Sequence, residues 1–547
     1  MQLKEYVLKK VTKMLGLVRY EGAGATEKLT FVNDKYGIVR SKLREYNVWY
    51  EGDDDELLNY YTRNNMIEYN YEPYYHRNKQ NYFWAISSTE MDVKRTHSGH
   101  PRSMIDTIVN VVGEYTAKAT GEETDKLLQR IMEDNDLVDT FKQEQLPYTL
   151  VEGWGAYKIN WDTDLSDTPI VLYYQAEDVD FVYKSNRLVG IMFKDYFVDK
   201  DDKRYLIIET RYLGLDENSK KRSLFIEKEL FRLQGDDKWI TPVEFKEVPE
   251  LAHIQARIEV EGYTELLSAP CILYKDKSND MYGKSVYAGK ISLFDDLDQV
   301  WSQLANATRK STPIEYIDTN YLERDKKTGM PKQPHAYDRK YVMFKGSMNA
   351  DGGSASREPV HVTQPELRLE QFMSEASEIL KNTVAGLLSP ASMGIDVAKK
   401  DNADAQREKE KVTIFTRNAI VDKEVRILKS LLTQCMHAYE LMHTGKITVL
   451  DYDITVEFSE FADESYDNKL TILGKAFNDG IISPEMLVRR LYGGEELSEE
   501  DIQREIEYIK ENNKEPFEKG MEPEENNDTV LNETDEYYEN EDTQDLF

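Results

Sequence analysis

KSVYAGKISLFDDLDQVWSQLANATRK (284–310), PELRLEQFMSEASEILKNTVAGL (365–387) and ADAQREKEKVTIFTRNAIVDKEVRILKSLLTQCMHAYELM (403–442) read as three long helices. In the first, Ile291, Phe294, Leu297, Trp301 and Leu304 recur at three- and four-residue steps, marking one apolar stripe. In the second, Leu369, Phe372, Ala376, Ile379, Thr383 and Leu387 share a face, with Glu370, Glu375, Glu378 and Lys381 around the rest. The third keeps the period through Val412, Phe415, Val421, Val425, Leu428, Leu432, Tyr439 and Met442. Unbroken, it would be a rod of roughly 60 Å, a length seldom buried inside one compact domain. Packing of the first stripe (Phe294, Leu297, Trp301, Leu304) against the second (Phe372, Ile379) is the expected seam.

Two interruptions separate these helices. Residues 311–364 hold short strand patterns (IEYID, YVMFKG, PVHVT) divided by DKKTGMPKQP and NADGGSAS, both strong turn signals. Because it lies between two helices that can pack side by side, this insert would project from the end of a helical hairpin. The second interruption is SPASMGIDVAKKDNA, where Pro390 ends one helix and Asp401 or Asn402 can cap the next.

Outward from this region, residues 1–65 read as helical with a break at Gly52, and FWAIS near residue 83 reads as a short strand. Arg102–Ala119 has Met104, Ile108, Val111, Val112 and Tyr115 at helical spacing, and Thr124–Gln145 continues as helix. From residue 148 to about 260 the period shortens into runs rich in β-branched and aromatic residues, predicting an antiparallel sheet or meander. Beyond Lys446 one or two strands are expected, then helices over 464–513, with Ser498 and Asp501 at capping-box spacing. The fold class predicted is α+β, in several domains.

At 547 residues the chain is long enough for about three or four units. No run of about 18 apolar residues predicts a membrane span, and Lys4, Glu5, Lys9, Lys10 and Lys13 interrupt any signal-peptide core, so synthesis in the cytoplasm is expected. Cys271 and Cys435 lack any CxxC spacing and read as buried apolar residues rather than disulfide or zinc partners. The net charge of −32 argues against a protein that wraps DNA with a basic surface. Residues 515–547 carry 13 of the acids against Lys519 alone, so −12 of that total sits in a tail expected to be disordered.

Catalytic motifs are missing where they would be sought. His97 and His100 in THSGHP could share a metal, but Gly99 and Pro101 make the segment a turn. GWG (153–155) lacks a third glycine and sits in a strand pattern, so close backbone packing is the expected reason for it. Neither GxxxxGK[ST] nor GxSxG occurs. Acidic pairs such as Asp295-Asp296 are expected to form a solvated face, although an acidic-residue hydrolase of polysaccharide or nucleic acid stays open as the rival reading. No cofactor, no metal and no catalytic residue is predicted.

The order of segments resembles portal proteins of tailed double-stranded-DNA bacteriophages, in the branch typified by the Bacillus siphophage portal. The likeness runs through NVWYEGDDDELLNYYTR, VKRTHSGHPRSMIDTIVNVVGEY, LVEGWGAYKINWD, VDFVYKSNRLVGIMFKDYF, DDLDQVWSQLANA and VTQPELRLEQFMSEASEILKNTVAGLLSPASMG, spanning roughly 40–510 in order and texture. The resemblance implies N-terminal helices and wing over 1–283, a stem helix over 284–310, a clip over 311–364 and a second stem helix over 365–387. It further implies a tunnel loop over 388–402, a long wing helix and returning strand over 403–462, a helical crown over 463–513 and the acidic tail beyond. Such portals form rings of about twelve copies at one capsid vertex of the virion, through which DNA is packaged and ejected. The implied partners are further copies of the chain, double-stranded DNA, terminase, the major capsid and scaffolding proteins and a head-completion or adaptor protein, with no membrane. Ser389, Ser392, Gly394, Lys399 and Lys400 in the loop are the residues expected nearest DNA, with Lys290, Arg309 and Lys310 as weaker candidates. A different virion adaptor is the remaining alternative.

Overall fold

Gly52, at φ +68°, breaks the N-terminal helical stretch in two: α1 (Asp34–Glu51) and α2 (Asp54–Arg63). Asp53 starts the second helix, its carboxylate accepting the Asp55 and Glu56 backbone N–H groups at 2.9 Å each. The computed structural model describes residues 27–28, 34–63, 81–86, 93–163, 165–184, 187–215, 222–234, 239–275, 282–311, 314–318, 322–330, 340–344, 360–363, 367–395, 403–447 and 451–459, with short pieces between 473 and 508. Helix and strand are both well represented, as an α+β chain requires.

Three local expectations change. FWA is a buried 3₁₀ turn (Phe83–Ala85) rather than a strand. The predicted helix over Arg102–Ala119 stops early: α3 (His100–Val112) ends at Gly113, φ +79°, and Tyr115–Ala119 is a strand, β2. That strand pairs antiparallel with residues 454–458, a long-range partner that local periodicity cannot reveal. After α4 (Glu122–Asp134) come a short turn and a π-helical turn (Phe141–Gln145), and helix persists as α5 (Leu146–Glu152) where a strand was expected from residue 148. Gly153, φ +99°, ends α5, and its backbone lies so close to Gly283 that neither position has room for a Cβ. The close-packing reading of GWG is what the structure shows.

Two sheets follow. Strands β3 (Trp154–Asn160) and β4 (Ile170–Gln175) pair antiparallel. Next, β5 (Val179–Lys184), β6 (Arg187–Val198), β7 (Arg204–Leu215), β8 (Arg222–Gln234) and β9 (Trp239–Val243) pair antiparallel in chain order, a meander that β10 (Arg257–Val260) joins on β8. A two-residue strand, β1 (Glu27–Lys28), adds a short edge on β9. Strand β11 (Ser268–Ile272) completes the smaller sheet on the free side of β3.

A buried ionic knot joins the two sheets. Glu209 of β7 faces Arg211 (2.7 Å), Lys158 of β3 (3.4 Å) and Lys228 of β8 (3.4 Å). Arg211 also donates to the Ile159 carbonyl at 2.9 Å, to Asn160 Oδ1 at 2.7 Å and to the Leu267 carbonyl. Burial alone would raise the Glu209 carboxyl, but these three cations hold it down at about 2.

The decisive region then unfolds as α6 (Ile291–Lys310), an insert, α7 (Leu369–Val384), a loop and α8 (Ala403–Thr444). In the insert β12 (Ile314–Asp318) lies between β13 (Lys340–Phe344), parallel to it, and β14 (Val360–Thr363), antiparallel. Strand β15 (Ile454–Phe458) returns to β2. Residues from Ala462 onward form a second unit; most of the expected helices over 464–513, the Ser498–Asp501 cap and the acidic tail lie outside the described residues.

In helix α8 the expected apolar stripe lies in or against the core at Val421, Val425, Leu428, Leu432 and Tyr439 and fails only toward the start of the helix. Thr413, Ile420, Glu424, Leu428, Leu431, Cys435 and Ala438 are buried, at steps of three, four and seven. That stripe contains two polar residues, so apolar periodicity skipped them and chose Val412 and Phe415, which are 42% and 62% exposed. Both cysteines are fully buried and free.

Candidate functional site

The seam between α6 and α7 is apolar. Leu297, Val300 and Ala376 form its centre, with Trp301, Phe372, Ile379 and Leu380 packed against it. Phe294 points elsewhere, into the main core among the rings of Trp49, Tyr287 and His100. Leu304 is half-buried. Trp301 and Phe372 therefore serve the packing of one chain's own hairpin.

On its other face α6 carries three buried polar groups: Asp295, Asp298 and Ser302. The Asp295 carboxylate accepts the Phe83 and Trp84 backbone N–H groups at 2.7 and 3.3 Å. Asp298 accepts the Trp84 indole N–H at 3.0 Å and the Ser98 N–H at 2.8 Å, and its Oδ2 lies 2.8 Å from His97 Nδ1. Ser302 accepts from Thr96 N–H at 3.0 Å. The expectation of a solvated face is overturned for Asp295: it is 4% exposed, because the Phe83–Ala85 turn docks on α6 and needs acceptors for its backbone donors. Burial, reinforced by Asp298 and Asp296, lifts its carboxyl to about 7 against the pull of the two N–H donors.

The two histidines of THSGHP belong to this node. A Cβ on Gly52 would stand 2.9 Å from the His97 ring, so the helix break and the histidine fit each other. His100 begins α3, and its Nε2 lies 2.7 Å from Thr383 Oγ1. Since Thr383 donates its own proton to the Leu380 carbonyl at 2.6 Å, His100 is the donor. Burial pushes the His100 ring down to about 4, consistent with a neutral imidazole. The histidines thus bind α6 and α7 to the body, and among the described residues no three His, Cys, Asp or Glu side chains gather as metal ligands.

Between α6 and α7, away from the node, lies a groove of about 870 Å³. Asp296, Gln299 and Gln303 line one wall, Glu370, Glu375 and Glu378 the other, with Val300 and Ile379 between. No lysine or arginine is among its lining residues. Partial burial and the Glu375 charge opposite both raise the Asp296 carboxyl. Sequence reasoning gave Asp295 and Asp296 one environment; only helical phase separates them by 100°.

At the end of α7 the chain turns through Gly386 (φ +77°), buries Leu388 in the main core and makes a 3₁₀ turn, Pro390–Met393, closed by Gly394 at φ +69°. Thr413 of α8 fastens this turn: its hydroxyl accepts the Ser389 N–H at 2.9 Å and lies 2.8 Å from Ser392 Oγ. Ser389 is 5% exposed, so it faces α8 rather than solvent, whereas Gly394 is exposed. Lys399 and Lys400 lie outside the described residues. Lys290 donates to the Ala385 carbonyl at 3.2 Å, joining the start of α6 to the same turn, while Arg309 and Lys310 are exposed at the far end of α6.

Another buried carboxyl, Glu424 at the middle of α8, accepts from Gln145 Nε2 at 3.0 Å and is pushed up to about 7 by burial. Gln145 closes the π-helical turn, so α8 is indexed to the body at a backbone irregularity. No helix of the described residues is long and apolar enough to cross a membrane. Compared with models of known families and with curated proteins, the chain matches none.

Proposed function

We propose that this chain is a portal-type subunit: copies assemble into a ring, about twelve by resemblance, at a capsid vertex, and double-stranded DNA passes through the axial channel. The observation that carries this reading is the order α6, three-stranded insert, α7, loop, 42-residue α8. Two helices packed side by side give a lateral surface that can repeat around an axis, and heterologous contacts that close make a ring. The insert, at one end of the hairpin, is the docking place for terminase and head-completion proteins. The loop 388–402, at the other end, is the narrow point. Because Ser389 and Ser392 fasten its root to α8, DNA proximity passes to Gly394 and the residues after it, Lys399 and Lys400 included. A net charge of −32 per copy suits a conduit, since a wall rich in cations would hold phosphate rather than let it slide.

One observation favours the rival hydrolase: Asp296 faces Glu375 in a groove. That groove offers no aromatic ring for a sugar to stack on and no cation for a phosphate, so the conduit is the better reading. The test is the mass of the purified protein and its image down the symmetry axis. An assembly near twelve times 63.8 kDa with an axial hole is expected, and a monomer that cleaves polysaccharide or DNA would overturn the proposal.

A further inference from the structure

We infer that one internal water molecule is bound between Tyr115 of β2, Gln145 of the π-helical turn and Glu424 of α8, completing the joint that holds the middle of α8 to the body. The inference does not depend on the ring reading.

Three side-chain oxygens in this joint, Tyr115 Oη, Gln145 Oε1 and Glu424 Oε2, are buried and have no hydrogen-bond partner in the chain. Tyr115 is 2% exposed and the other two residues are fully buried. The Gln145 amide is fixed in its orientation. Its Nε2 lies 3.0 Å from Glu424 Oε1 and 3.3 Å from Thr149 Oγ1, and Thr149 in turn lies 3.1 Å from the Tyr173 hydroxyl. Turning the amide over would set oxygen against oxygen at Glu424, so Oε1 is the atom left over. Lys423, next to Glu424 in the chain, gives the carboxyl nothing, because its ammonium is turned to the Leu273 carbonyl and the face of Tyr274.

The three oxygens belong to one place. Gln145 and Glu424 are bonded to each other, so their unused oxygens flank the same bond. Tyr115 is brought there by Phe141, the first residue of the π-helical turn that Gln145 ends; the two rings pack edge to face with centroids 5.3 Å apart. Burial, then the Cys435 thiol and the Glu424 carboxyl, push the Tyr115 hydroxyl up, so that carboxyl lies within electrostatic reach although no hydrogen bond joins the two.

Direction selects the occupant. Gln145 Oε1 and Glu424 Oε2 are acceptors in need of two donors, and the Tyr115 O–H is a donor in need of an acceptor. A water molecule gives its two hydrogens to the first pair and a lone pair to the tyrosine, and three bonds are the usual complement of a buried water. Unpaired, the same groups would carry the full penalty of their burial. A metal ion fits worse: it would leave the Tyr115 proton without an acceptor, and among the described residues no three His, Cys, Asp or Glu side chains gather to hold one.

The test begins with a high-resolution density map of the full-length wild type in a buffer free of sodium and potassium. One peak is expected within about 3.2 Å of all three oxygens, unchanged when thallium(I) is added. Tyr115→Phe and Glu424→Met are then unfolded in denaturant singly and together. Since no direct bond joins the two side chains, the double variant should lose about tenfold less in folding equilibrium constant than the two single losses combined, because either change alone breaks the bridge. A wild-type map without a peak touching all three oxygens, a peak that strengthens with thallium, or losses that combine to within about twofold would overturn the inference. The map decides the question even if Glu424→Met does not fold.

Discussion

Asp295 and Asp296 are consecutive in the chain and chemically identical, yet they belong to opposite regions of the molecule. Asp295 faces the body, buried, with two backbone N–H groups on its oxygens. Asp296 faces the groove, partly exposed, with a glutamate across from it. In the first region negative charge is an acceptor that fixes two N-terminal segments to α6. In the second it faces a like charge across a solvent-filled groove and fixes no other segment to the hairpin.

The comparison breaks most readily at Asp298. Replacing it by Ala strips the acceptor from the Trp84 indole, the Ser98 N–H and His97 at once, and should cost about 3–5 kcal/mol in denaturant unfolding. A loss no larger than that of an exposed acid would show that the node does not hold α6.

Asp295→Asn tests the same node through pH. A folded-state value of about 7, above the ordinary aspartate range, means that the folded chain binds a proton the unfolded chain has released. Its favourable contribution is complete below about pH 4 and is lost as pH rises to about 7. Relative to Asp295→Asn, the wild type should lose up to roughly 1.4 kcal/mol per pH unit across that window and nothing more above it. Glu152 and Glu424, raised in the same direction, cancel in the difference. Parallel stability curves for the two proteins would sink the burial argument.

Thr413→Val should cost about 1–3 kcal/mol by leaving the Ser389 N–H without its acceptor and removing the partner of Ser392. Amide exchange at Ser389 and protease cleavage in the loop are the sensitive readouts, and unchanged protection there would mean that Leu388 alone anchors the turn. The smallest effect belongs to the groove. Asp296→Asn should stabilise the isolated chain by a few tenths of a kcal/mol, since solvent screens its repulsion with Glu375. A clear destabilisation would place Asp296 with Asp295 after all.

The seam is the best-read part of the candidate site: Leu297, Trp301, Phe372 and Ile379 meet where their spacing put them, because both helices bury apolar side chains along one edge. The insert's three strand patterns also fall on β12, β13 and β14, although the parallel pairing of β12 with β13 depends on partners 26 residues apart and leaves no local trace. What escaped was polar. Asp295, Asp298, Thr413 and Glu424 are buried because each meets a donor or hydroxyl from a distant segment, and nothing in their own neighbourhood distinguishes them from solvated residues.

Helix α8 shows the division most plainly. The sequence by itself determined that residues 403–442 form one continuous helix, because nothing between them breaks the 3.6-residue period and the neighbours that support a helix are three and four residues away. It also determined the acidic balance and the helix break at Gly52, whereas the end of α7 lies at Val384, before Gly386, rather than at Pro390. Over Val421–Tyr439 the apolar period also picked out the inward side, but only the tertiary structure decided that Thr413 and Glu424 lie in the interior and Phe415 in solvent. The physical reason is that a buried polar group is tolerated only where another segment supplies its hydrogen bond, and that segment is chosen by the fold as a whole.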